Sequence, residues 1–214
     1  MFKRIVFLFC LIFINRINAI ERIGYLNIIV GKNFNQKAKI GLFSFKTTPQ
    51  IAFWLESEDE TYKKTIYITK RFAKQEWQGA IYDKNKTFRE YALPLWGKKF
   101  KENLPTKNNP LSDSITMASP TKDTKVKFSL PSDKTVILFL EVNNSFDYNE
   151  FYPEDRLYNG QPSLVYTAKI QPDFKGKVEL ILTYKTDLQG NLSKNLNDIT
   201  TAKEILKRVE VEVE

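Results

Sequence analysis

An antiparallel β-sandwich of immunoglobulin or fibronectin type, with one or two short helices, is the fold class this sequence predicts. Three observations predict it. Apolar and polar residues alternate with period two along several runs, one run is almost wholly apolar, and polar turns separate the runs. Hydrophobic content of 42%, with 16 Phe, 10 Tyr and 3 Trp, suffices for a packed core. No internal repeat and no Gly/Ser linker breaks the chain, so residues 20–214 read as one domain.

In chain order, Lys3 and Arg4 precede an apolar run, 5–14, which leads into Asn15-Arg16-Ile17-Asn18-Ala19. This is the layout of a secretory signal peptide, residues 1–19, cleaved near Ala19. The run falls short of the roughly 20 apolar residues of a membrane span, and a retained N-terminal anchor is the competing reading. Cleavage removes Lys3, Arg4 and Arg16 but no acid, taking the formal charge from +8 to +5, and it removes the single Cys10. The expected location is periplasmic or secreted, with a mature chain held together by packing rather than cross-links.

Runs 25–30, 40–45, 51–55 and 65–69 read as strands. Within 51–55, Trp54 is either exposed on one face or buried in a central strand. Val126, Phe128 and Leu130 alternate with Lys125, Lys127 and Ser129. Run 136–142 is nearly all apolar and belongs at the centre of a sheet. Leu164, Tyr166, Ala168 and Ile170 oppose Thr167 and Lys169, while Val178, Leu180, Leu182 and Tyr184 share a face. Val209, Val211 and Val213 alternate with Glu210, Glu212 and Glu214. Two segments break the pattern. Segment 71–96 holds aromatic residues without alternation, which fits short helices or an aromatic-lined excursion. Segment 101–124 is long and polar, with Pro105, Pro110 and Pro120, and a connection of that length is usually functional or mobile. Asp198 stands as an N-cap before a short helix in 198–204.

Composition narrows the chemistry. The chain has no histidine, which removes Ser-His-Asp and Cys-His catalysis and imidazole metal ligation. A lone cysteine makes neither a disulfide within the chain nor a thiolate metal cluster. The basic balance does not point to nucleic acid, because the lysines are scattered over strand and loop positions. An evenly solvated surface, or weak attraction to anionic envelope polymers, accounts for it.

The segment 145–155, closed by Gly160-Gln161-Pro162-Ser163, follows the most apolar strand and should form a loop at one end of the sandwich. Asp147, Asn149 and Glu154, with Glu150 and Asp155, are oxygen ligands of the type Ca²⁺ accepts, but the EF-hand spacing is absent. The simpler reading is a tyrosine-rich loop whose working surface includes Asp147, Tyr148, Asn149 and Gln161. A pair of these carboxylates flanking a glycosidic bond is a weaker reading.

One further segment, Asp113-Ser114-Ile115-Thr116-Met117-Ala118-Ser119-Pro120, resembles the sequence read by extracytoplasmic flavin transferases. That resemblance implies FMN joined through a phosphoester to the Ser119 hydroxyl, with Asp113, Thr116 and Ala118 in pattern. Met117 stands where the pattern has Gly. The plain alternative is a Pro-bounded loop whose Asp and Thr make local turn hydrogen bonds. The ordered series Ile51–Glu56, Leu93-Pro94-Leu95-Trp96, 113–120, Glu141–Asn149, Gly160–Tyr166 and Ile199–Ala202 resembles an uncharacterised family of bacterial periplasmic proteins often encoded near flavin transferases and membrane redox proteins. The resemblance implies an extracytoplasmic β-sandwich beside flavin-based electron transfer. Its partner would be an envelope protein, a flavin transferase or a membrane redox complex. The expectation is a non-catalytic accessory or binding module without a resident cofactor; the alternative is a carrier of covalent FMN at Ser119.

Overall fold

The computed structural model describes residues 21–40, 42–77, 90–112, 116–118, 120–154 and 160–214. The signal-peptide expectation falls outside these residues, as do Asp113 and Ser119 of the flavin motif. The strands are β1 (Glu21–Val30), β2 (Gln36–Ile40), β3 (Phe43–Thr47), β4 (Gln50–Ser57), β5 (Lys63–Thr69), β6 (Thr116–Met117), β7 (Thr124–Pro131), β8 (Val136–Asn143), β9 (Leu164–Ile170), β10 (Gly176–Glu179), β11 (Ile181–Thr186), β12 (Leu192–Ser193) and β13 (Leu206–Val213). Two short helices, α1 (Lys70–Ala73) and α2 (Pro94–Lys99), interrupt the series. Neither is long or apolar enough to cross a membrane.

Two sheets face each other. The smaller runs β10-β13-β1-β7 and the larger β12-β11-β9-β8-β4-β5-β6, with β2 and β3 forming a separate two-stranded arm. Every pairing is antiparallel except β5 with β6. The alternating residues make the core: Leu26 and Ile28 of β1, Phe128 of β7 and Val209 and Val211 of β13 meet Phe53 and Leu55 of β4 and Leu138 and Leu140 of β8. The other face of the larger sheet is also covered. Ala52, Trp54, Ile68 and Val165 pack there against Phe72 of α1 and Leu95 and Trp96 of α2. That second layer buries all eight residues of β4 and settles Trp54, which is 0% exposed and stacks on Phe139 at 5.2 Å.

The predicted sandwich is present, and its larger sheet, seven strands with a parallel edge pair, exceeds an immunoglobulin-type sheet. Three expectations are corrected. Run 40–45 is not one strand: Ile40 ends β2 and pairs with Phe43 of β3, so the chain reverses within the run. The face shared by Val178, Leu180, Leu182 and Tyr184 holds only through Leu182, although the chain passes from the small sheet (β10) to the large one (β11) at Leu180. A bulge between Leu182 and Tyr184 then turns Tyr184 to the outer face, where it packs with the helical layer. Asp198 caps no helix. The turn that follows it is 3₁₀, Thr201–Glu204, with Thr200 at its start, and the Asp198 carboxylate accepts instead from Lys185 and Tyr152.

Candidate functional site

The ends of β8, β9 and β11 open into a cleft of about 400 Å³ beside the 145–163 loop. Ser163 and Thr186 lie at its floor, Tyr152 and Lys185 on one wall and Tyr91, Pro94 and Asn143 on another. Asp187, Leu188 and Asn191 of the β11–β12 turn form its rim. Gly190 allows that turn. Its φ is +71°, and a Cβ there would lie 2.5 Å from the Pro94 carbonyl oxygen. Gly160, with φ of +79°, presses its backbone against that of Asp147 in the same way.

Beneath the floor sits Glu141, the one carboxylate of β8 and 0% exposed. Strand β8 carries it to the outer face of its sheet, under the start of α2. There its oxygens accept from Leu95 N at 3.0 Å and Trp96 N at 2.8 Å, two of the orphan amides of a helix N-terminus. The Ser163 hydroxyl donates to Glu141 Oε1 at 2.6 Å, and Ser163 and Thr186 share a hydrogen bond of 2.6 Å. Burial raises the Glu141 pKa to about 7, against the pull of the Ser163, Trp96 and Leu95 donors. Glu141 therefore does the work of a cap residue from another strand, and its oxygens are spoken for. Ser163 is itself enclosed, 1% exposed, and both Glu141 oxygens are already engaged by the helix amides and the Ser163 hydroxyl.

The wall is an ion pair with a phenol. Lys185 Nζ donates to Asp198 Oδ2 and, at 3.3 Å, to the Tyr152 hydroxyl oxygen, while Tyr152 donates to Asp198. Burial opposes the Lys185 ammonium, but Asp198 and Tyr152 outweigh it and raise its pKa. Burial likewise disfavours the Asp198 carboxylate, and Lys185 and Tyr152 outweigh it to hold that pKa low. On the opposite wall Asn143 Nδ2 donates to the Tyr91 carbonyl at 2.9 Å, leaving Asn143 Oδ1 with no donor among the described residues.

Of the loop residues singled out from sequence, only Gln161 lines the cleft. Asp147 and Gln161 are buried, 4% and 2% exposed, which corrects their assignment to a loop surface. Asp147 accepts from Thr201, and Gln161 donates to Thr201 Oγ1 at 2.6 Å and accepts from Thr200 N at 2.7 Å, so the two bolt the loop to the 3₁₀ turn. Burial raises the Asp147 pKa, with the Thr201 bond opposing it. Asn149 donates to the Asp198 carbonyl at 2.9 Å while its Oδ1 accepts from Phe151 N and Tyr152 N, a local turn. Tyr148 meets Phe146 edge-on. Glu154 is exposed. Among the described residues no group of three Asp or Glu side chains is placed to hold a metal ion, and Asp155 lies outside the described residues. In the flavin motif, Thr116 donates its hydroxyl to the Ser112 carbonyl at 2.8 Å, and Met117 and Ala118 are exposed on the edge strand β6 and just after it.

The sequence reading missed Glu141 and Lys185 as site residues. The signal for Glu141 was available: a single carboxylate in an otherwise apolar central strand. No protein-family model, curated protein or solved structure matches the chain.

Proposed function

We propose that this chain is an exported, non-catalytic binding module whose working surface is the cleft at the 145–163 end. The observation that carries the reading is the cleft itself: hydroxyl, amide and phenol groups from separate segments converge at the ends of β8, β9 and β11, and its one strongly shifted carboxylate is sealed under the floor by helix amides. Such a lining suits a small polar ligand rich in hydroxyl or amide groups, with Tyr91 and Tyr152 as flat apolar contacts. Amide chemical-shift mapping with a panel of saccharides and short peptides tests it. Shifts centred on Asn143, Ser163 and Lys185, lost in Tyr152→Ala, are the expected result. Uniformly absent shifts, or turnover of any panel member, count against it.

A second reading, a carrier of covalent FMN at Ser119, is favoured by the exposure of Met117 and Ala118, which leaves the acceptor segment within reach of a transferase. It also fits the resemblance to periplasmic proteins encoded near flavin transferases. Met117 in the place of Gly weighs the other way. Co-expression with a flavin transferase and intact-mass measurement decides it: an added FMN mass on wild type, absent from Ser119→Ala, supports the carrier, and an unmodified wild type ends it.

A further inference from the structure

The arm made by β2 and β3 has two unlike faces. Residues paired across an antiparallel ladder point the same way, and the register sets Lys37 opposite Lys46, Lys39 opposite Ser44 and Ala38 opposite Phe45. Lys37, Lys39, Ser44 and Lys46 are all exposed and share the outer face. Ala38 is buried and Phe45, 37% exposed, packs edge-on against Phe146 of the 145–154 loop at 5.3 Å, so the other face rests in part on the body of the protein. At the tip, Leu42 is fully exposed, 102% of its reference area.

The outer face costs stability as it stands. Like charges directly opposite on a ladder repel, yet among the described residues no acidic group lies within ion-pair distance of Lys37, Lys39 or Lys46. The sequence offers none nearby either: from residue 23 to residue 55 there are four lysines and no Asp or Glu. This departs from the even distribution of lysines expected from sequence. A polyanionic partner relieves the repulsion. Leu42 selects among polyanions, because a soluble polymer rewards the lysines and leaves the leucine wet, whereas a bilayer surface offers phosphate oxygens at headgroup depth and hydrocarbon just below.

We propose that the β2–β3 arm is a membrane-docking element, with Leu42 inserted at the headgroup boundary and Lys37, Lys39 and Lys46 on anionic lipid phosphates. The assignment is independent of what the cleft binds. Co-sedimentation with phosphatidylcholine vesicles, pure or with about a third phosphatidylglycerol, tests it on the full chain and on the chain from Glu21 onward, which keeps every described element. The shorter chain should bind the anionic vesicles and not the neutral ones. The double variant Lys37→Glu/Lys46→Glu should weaken binding by at least roughly tenfold, and Leu42→Ser by roughly tenfold. Both should keep the wild-type melting temperature, since these side chains are exposed. Binding only by the full chain, or equal binding to neutral vesicles, overturns the proposal. So does a Leu42→Ser variant that binds like wild type while dextran sulfate competes fully, an outcome that assigns the face to a soluble polyanion. Loss of a concentration-dependent dimer in these variants, without vesicle binding by wild type, assigns it to self-association and equally overturns it.

Discussion

Glu141 shows how one buried side chain ties stability to pH between about 4.5 and 7, while Asp198, held low against burial by Lys185 and Tyr152, acts in the opposite sense at lower pH. The Glu141 pKa is about 7 in the folded chain and near 4.5 once exposed, so between those values the folded state holds a proton that the unfolded chain has released. Stability from this group is therefore full below about pH 4.5 and falls as pH rises to about 7, by about 3 kcal/mol in all. Asp147, raised by burial, acts in the same sense. Urea unfolding of wild type and Glu141→Gln at pH 5 and pH 7.5 checks this. The variant should lose most of the wild-type difference between the two pH values, because its amide does not titrate. The identity of Glu141 was legible in the sequence as a lone acid in an apolar run, but its role was not. Which amides it meets depends on α2, whose 45-residue separation in sequence no local pattern encodes. Asp198 failed for the converse reason: its position before a short helical stretch imitates a cap, and the Lys185–Tyr152 pair competes for the same carboxylate.

At the scale of elements, α2 is held at both ends by carboxylates of the sheet it covers. Glu141 of β8 takes its first amides, and Lys99 in its last turn bonds Glu56 of β4 at 2.9 Å, the same Glu56 that accepts from Trp54 Nε1 at 2.8 Å. Trp96 adds a third tie through its ring nitrogen to Thr65 Oγ1 at 3.0 Å. Glu56 is buried, so Lys99→Met leaves a carboxylate without its cation. The expected loss is about 3 kcal/mol, read as a fall in the urea midpoint, while the double variant Lys99→Met/Glu56→Met should recover most of it. Gly190→Ala tests the packing of the cleft rim against this helix. The forbidden φ and the clash with the Pro94 carbonyl should together cost about 1–3 kcal/mol and should disturb the amides of Leu95 and Trp96 in the same spectrum. Strands with one wet face were legible from alternation, as β7 and β13 attest. The hairpin inside 40–45 was not, because its only turn signal is the single Gly41 before Leu42, a weaker mark of reversal than Asn-Gly or Asp-Gly and set within an apolar run.

Across the whole molecule, the sandwich follows from the alternating runs, while the helical layer on its outer face does not. Alternation records one buried face. A strand buried on both, such as β4, reads only as apolar and names no partner. The chain's passage from β10 to β11 at Leu180 was invisible for a related reason, since the inward face stays inward as the backbone changes sheets. That passage joins the sheets covalently in mid-strand, so amides of β13 and β9 should exchange with the same opening free energy under native conditions. Two well-separated values would show that the sheets open independently. The placing of β13 has a further consequence, in time rather than space. It lies between β1 and β10, pairing Gly24 with Val213 across nearly the whole described chain. A growing chain that has not yet reached Leu206 has every strand of the large sheet and no centre for the small one. The apolar face of the large sheet then waits uncovered until the last strand arrives. The core therefore closes only after Leu206–Val213 has been made and has joined β1 to β10.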